Sequence, residues 1–197
     1  MRDNGRMGES AQAGVQLSAL DGPRWKCQWH LQKDFVTDSP SEGYRAGEQE
    51  NIWGDGNALL IGGASLIWER IITNDPSTSA TGAALQSFST DNANLVVSTS
   101  TAAAVNTQTW LQGSTQHYST MESGYPAHTD ATTSTAAQSA QFRAIYGTTE
   151  ANITWNEWGL CSFAASSGGR MLNRKVQSLG AKTSAATWTF TASLSLA

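Results

Sequence analysis

The chain has 197 residues, enough for one domain with an extension, and at that length it can bury a full core without covalent staples. Charged residues make up 14% of it and the net charge is -4, so it offers no basic surface to hold nucleic-acid phosphates. Ser, Thr, Ala, Asn and Gln fill the place of charge, which suits a surface covered by neighbours, because burying a partnered hydroxyl costs far less than burying an ion.

The start is polar, with Arg2, Asp3, Arg6 and Glu9 and no apolar run behind them, so no secretory signal is expected. Residues 1–22 are Gly-rich and close on the turn signal Asp21-Gly22-Pro23. They read as an extended N-terminal arm that orders against a partner, leaving residues 23–197 as a single domain. Trp25, Cys27, Trp29 and Leu31 alternate with Lys26, Gln28, His30 and Gln32, the period of a half-buried strand. Residues 37–51 are polar and carry Pro40, Gly43 and Gly47, a loop pattern.

A helix is expected near residues 57–72, capped by Asp55 or Asn57 and stopped by Asn74-Asp75-Pro76. Its apolar residues fall at Leu59 or Leu60, Leu66 or Ile67, and Ile71. The paired Gly62 and Gly63 imply close approach by another backbone. The stretch is too short and too polar to cross a bilayer. Leu95 to Val97 is a short β-prone run, and Ala102 to Leu111 reads as a short helix. Residues 124–139 are rich in Ser, Thr and Ala.

The C-terminal third is the most regular. Phe142, Ala144 and Tyr146 share one face of a strand. Ala151, Ile153 and Trp155 alternate, and Trp158 and Leu160 continue on shifted parity, so a β-bulge is expected at Asn156-Glu157. Ser166 to Gly169 reads as a hairpin turn into a strand begun by Leu172, Arg174 and Val176. Trp188, Phe190, Ala192, Leu194 and Leu196 then alternate with Thr and Ser. Short strands with Gly-rich turns predict a mainly β fold, an antiparallel β-sandwich with one buried helix.

Three segments carry a resemblance. Ala151 to Leu160, with Trp155-Asn156-Glu157-Trp158-Gly159 at its centre, Gly168 to Val176 with Met171-Leu172-Asn173-Arg174-Lys175, and Leu179 to Thr189 together resemble a family of small structural proteins of tailed phages and prophages. Gly56 to Leu60 and Gly124-Tyr125-Pro126 resemble its upstream pattern. The likeness implies a component of the virion, synthesised in the host bacterial cytoplasm. It implies no catalytic residues.

Searching for chemistry along the chain gives little. His30, His117 and His128 lie in no metal-ligand spacing, and no nucleophile elbow or phosphate-binding glycine loop is present. Cys27 and Cys161 form neither a disulfide framework nor a zinc pattern and read as buried thiols. Glu150 and Glu157 are close enough in sequence to be weighed as a glycosidase pair, but a turn residue and a structural acceptor explain them better. No enzymatic activity, cofactor or metal is expected. Glu157, set between two tryptophans, needs a partner if buried, and Arg174 across the hairpin is the expected one.

The 8 tryptophans are the most unusual feature. Trp25, Trp29, Trp155, Trp158 and Trp188, with Phe190, read as core or subunit-contact residues. Trp53 and Trp110, in predicted loops, read as the exposed ones, where a sugar could stack. The expected function is therefore binding: a capsid decoration or cement protein, associating with itself as a trimer and with the major capsid protein. The alternatives are a neck or tail accessory protein, including a tail-tip receptor-binding one, and a glycan-binding module. No nucleic acid or membrane is expected as a partner.

Overall fold

The computed structural model describes residues 25–72, 87–163 and 170–196. The N-terminal arm, the helix stop at Asn74-Asp75-Pro76 and the turn at Ser166 to Gly169 lie outside the described residues. The strands are β1 (Trp25–Phe35), β2 (Gln49–Asp55), β3 (Ala58–Leu59), β4 (Asn94–Ser98), β5 (Gln116–Thr120), β6 (Ala127–His128), β7 (Ser139–Tyr146), β8 (Thr154–Cys161), β9 (Met171–Ala181) and β10 (Ala186–Leu196). One α-helix, α1 (Ile61–Ile72), follows β3, and a short 3-10 helix (Thr135–Gln138) precedes β7. The strands form two antiparallel five-stranded sheets in a sandwich-like arrangement: β2-β1-β10-β7-β6 and β3-β9-β8-β4-β5.

Period-two patterning decides which side chains lie between the sheets. In β1 the odd residues Cys27, Trp29, Leu31 and Phe35 are buried. Their partners Phe190, Ala192 and Leu194 come from β10, paired in register with Leu31, Trp29 and Cys27. Phe142, Ala144 and Tyr146 extend the same layer on β7, and Leu95, Val97, Trp155, Trp158, Leu160 and Leu172 face them from the second sheet. Aromatic rings pack against one another through this layer: Trp29 on Phe190 at 5.8 Å, Trp155 edge-on to Trp188 at 4.7 Å, and Tyr146 edge-on to Trp155 at 4.7 Å. The Tyr146 hydroxyl donates to the Leu95 carbonyl at 2.7 Å, a hydrogen bond from one sheet to the other.

The β8–β9 ladder slips between Trp155 and Glu157, so the expected bulge is present. It keeps both Trp155 and Trp158 in the core while turning Glu157 to the opposite face of the sheet. That opposite face has a smaller core of its own, made by Leu60, Val96, Trp110, Leu111, Cys161 and Met171. The second sheet is thus covered on both sides, and every residue of β4 is buried.

Two expectations about local structure change. The helix starts at Ile61 rather than near residue 57, because Ala58-Leu59 first pairs with Asn173 and Arg174 on β9. The backbone N–H groups of Leu60 and Ile61 then donate to the carbonyls of Leu172 and Asn106 rather than to an Asp or Asn cap. Asn57 instead accepts from the Trp25 indole at 2.8 Å. Gly63 is where another backbone comes close: a Cβ there would lie 2.7 Å from Leu172 Cα. Within α1, Gly63 and Leu66 are buried while Ile61 and Trp68 are exposed, so the helix is seated against β9 rather than enclosed.

Residues 102–111 form no helix. The carbonyl groups of Ala102 and Ala103 are used instead by Arg174 of β9.

Candidate functional site

Two polar constellations stand out, one closed and one open. The closed one centres on Glu157 and Arg174, both fully buried on the outer side of the second sheet. Arg174 Nε and Nη2 donate to Glu157 Oε2 at 2.7 and 2.6 Å, the pairing expected from the sequence. The remaining guanidinium donors reach the irregular segment that crosses above them: Nη1 to the Ala103 carbonyl and Gln108 Oε1, Nη2 to the Ala102 carbonyl. Glu157 Oε1 in turn accepts from the backbone N–H groups of Gln112 and Gly113 at 3.0 and 2.7 Å.

A buried charge pair is tolerable only when its leftover donors and acceptors are satisfied. Here they are, and the groups that satisfy them are main-chain atoms of residues 102–113 together with the Gln108 side chain. The pair therefore fixes the path of that segment. It also explains Trp110, which is 7% exposed and not the surface contact expected of it. Once the segment is held down, the Trp110 ring enters the smaller core, and its indole N–H donates to Gln116 Oε1 and the Tyr118 hydroxyl.

The two carboxylates weighed as a catalytic pair are each committed elsewhere. Glu150 accepts from the Gly147 N–H at 2.7 Å in the turn before β8, and Glu157 is out of solvent's reach. Burial pushes the Cys27 and Cys161 thiols up to about 12, against a small opposing effect of Lys175 on the first and of a backbone hydrogen bond at Phe163 on the second. Among the described residues no three His, Cys, Asp or Glu side chains gather as metal ligands.

Trp29, Trp155, Trp158, Trp188 and Phe190 are core residues, and Trp25 is partly buried at its edge. Lys33, on the inward parity of β1, is also buried; its ammonium bonds Glu50 at 2.9 Å and lies 4.5 Å from the Trp188 ring.

The open constellation lies on the outer face of β1 and β2. Trp53 is 68% exposed, on a strand rather than in a loop. Its ring stacks on His30, directly across the ladder, at 4.7 Å and 12°. From His30 a row of hydrogen bonds runs down the same face. His30 Nε2 donates to Asn51 Oδ1 at 2.8 Å, and Asn51 Nδ2 donates to Gln49 Oε1 at 2.9 Å. Gln49 Nε2 donates to Asp34 Oδ1 at 2.6 Å, and Gln32 Nε2 reaches the same carboxylate at 2.9 Å.

Inward on β2, Gly54 makes room beneath this face: a Cβ there would collide with the Trp29 indole. Of the row, the sequence marks His30 and Gln32, on the polar side of their strand. Gln49 and Asn51 fall within residues 37–51, whose Pro and Gly pattern reads as loop, and Asp34 lies just past the alternation that marks the strand. The available signal was the alternation of Gln49, Asn51, Trp53 and Asp55 with Glu50, Ile52 and Gly54.

Comparison with known proteins finds no matching family model, no matching curated protein and no matching solved structure.

Proposed function

We propose that this chain is a structural component of a tailed-phage particle, a capsid decoration protein that works by associating with itself and with the shell. The observation that carries the reading is the use made of the motif residues. Trp155, Glu157, Trp158, Arg174 and Trp188 are all buried and hold the sandwich together. A motif spent on architecture fits a protein whose task is to present surfaces.

Surfaces for association are present. α1 exposes Ile61 and Trp68, seven residues apart and so on one side of the helix, at 56% and 60%. Val105 is also exposed, one residue before Asn106, whose carbonyl accepts from the Ile61 N–H. Clustered exposed apolar side chains of this kind mark contact sites. A closed symmetric oligomer is the usual outcome of self-association, and a trimer is the proposed state.

Cryo-electron microscopy of the particle encoded with this chain is the test. The reading expects copies distributed over the shell at its symmetry axes. Density confined to one vertex or to the tail would replace it with a neck or tail role. Light scattering of the purified chain should give three times its 21.0 kDa mass; a monomer would remove the self-association.

A further inference from the structure

The outer face of the first sheet carries more than a strand needs for solubility. Reading across the ladders, Trp53 and His30 align with Thr191 and Arg143, and Asn51 and Gln32 align with Thr189 and Ile145. The alternation that buries Trp29, Phe190 and Ala144 places all of these on the side away from the core. Along β1, β2 and β10 the face is therefore mostly amides and hydroxyls, with one large exposed aromatic platform at its β2 edge, while Arg143 and the partly exposed Ile145 stand apart on β7.

We infer that this face is a binding site for a neutral polysaccharide, with Trp53 as the stacking platform and the Asn51–Gln49–Asp34–Gln32 row as its hydrogen-bonding track. Three features carry the inference. The Trp53 ring is held parallel to His30, which fixes its orientation and leaves the ring largely exposed. A sugar presents an apolar C–H face that suits an aromatic ring and a rim of hydroxyls that both donate and accept. Carboxamides, which also do both, are the side chains that match such a rim.

Preorganisation is the second feature. The hydrogen bonds run in one direction from His30 to the Asp34 carboxylate, so the amides are already oriented before a ligand arrives, and less rotamer freedom is lost on binding. Successive residues on one strand face are about 6.8 Å apart, so the row from Trp53 through Asn51 to Gln49 spans about 14 Å, enough for several sugar rings. Beyond Trp53 in the other direction the structure has a cleft of about 630 Å³, with Lys26, Gln28, Asp55, Thr135, Gln138 and Ser195 among its lining residues. Platform, track and cleft adjoin along β1 and β2.

The third feature is charge. Asp34 and Asp55 are the carboxylates along β1 and β2 and Lys26 is the ammonium there, while Arg143, two strands away on β7, is held by Glu122 at 2.8 Å, so no basic cluster is free to hold an anionic polymer. A protein partner is the poorer fit: a contact centred on Trp53 would lack surrounding apolar groups to exclude water, which interface anchors normally have. The apolar patch at Ile61 and Trp68 lies on another element.

The test is native affinity electrophoresis of the full chain in gels cast with laminarin, mannan, xylan or alginate. Retardation by at least one of the three neutral polysaccharides is expected. Trp53→Ala should weaken that retardation about tenfold or more, Trp53→Tyr should keep part of it, and Phe163→Ala, at an exposed ring just beyond β8, should leave it intact. The thermal midpoint of Trp53→Ala should match the parent, since the ring contributes little to the core. No retardation by any neutral polysaccharide, retardation by alginate alone, or retardation indifferent to Trp53→Ala would each overturn the inference. So would loss of the oligomer in Trp53→Ala without any polysaccharide effect, which would make the face a protein contact. None of these outcomes bears on where the chain sits in a particle, so this inference and the virion reading can fail separately.

Discussion

The two sheets treat their outer faces in opposite ways. Outside the second sheet, residues 102–113 fold across β8 and β9, and the polar groups beneath them are closed on one another: Arg174 on Glu157, on two carbonyls and on Gln108. Outside the first sheet, the amides of β1 and β2 are also linked, but their row lies at the surface beside an exposed tryptophan. The same chemistry, hydrogen-bonded polar side chains on a β face, thus serves folding in one place and is the basis of the recognition we infer in the other. What separates them is whether water still reaches the row. Tryptophans follow the same division, since Trp158 and Trp53 both lie on strands yet one is sealed in the core and the other is two-thirds exposed.

The contrast can be broken by substitution. Arg174→Met strands the Glu157 carboxylate without its cation and frees residues 102–113, and should cost about 3–5 kcal/mol in urea denaturation. Adding Glu157→Leu to it should recover much of that loss, since removing both charges leaves no unpaired ion; strictly additive costs would show that the pair does not act as a unit. Next in size is Gly63→Ala, which forces α1 away from the Leu172 backbone and should destabilise by about 1–3 kcal/mol, although alanine is the better helix former. At the open face, Trp53→Ala should shift stability by no more than about 0.5 kcal/mol; a core-sized loss would mean that the exposed ring is structural after all.

The last expected effect is a chemical one, negligible at neutral pH and felt only in alkali. With their thiols held near 12 by burial, Cys27 and Cys161 should resist a thiol reagent at pH 8 until the protein is unfolded. The sign of the accompanying pH dependence follows from linkage. Above the ordinary cysteine value of 9 the unfolded chain loses these protons first, so the thiols make stability fall as pH rises from about 9 towards 12. Replacing both by alanine should flatten that decline, as followed by denaturation at a series of pH values.

Strands whose two faces differ were legible in the sequence, because burial on one side writes a period of two. This holds for β1, for β7 and for β10, where the parity of Trp188, Phe190, Ala192 and Leu194 matches the core. The bulge at Glu157 was legible as a change of phase, and from it the ion pair with Arg174. β2 was not, since an edge strand with one glycine and few aliphatic residues writes only a faint alternation. β5 was missed for a related reason: its five residues, Gln116 to Thr120, include no aliphatic one. Residues 102–111 look helical by composition, yet the Ala102 and Ala103 carbonyls and the Gln108 side chain are taken by an arginine far along the chain, a tertiary demand that local propensity cannot contain. The burial of Trp110 follows from that demand and was invisible for the same reason.

The position of β10 has a consequence for how the molecule comes to exist. It lies between β1 and β7 in the middle of its sheet, so Trp25 to Phe35 pair with residues about 150 to 170 positions later. During synthesis β1 therefore emerges long before its main partner, and the first sheet cannot close until β10 has left the ribosome. High contact order of this kind slows folding and leaves apolar strand surface waiting. The nascent chain is most exposed to misassociation in that interval, and the rate at which β10 docks sets how long the interval lasts.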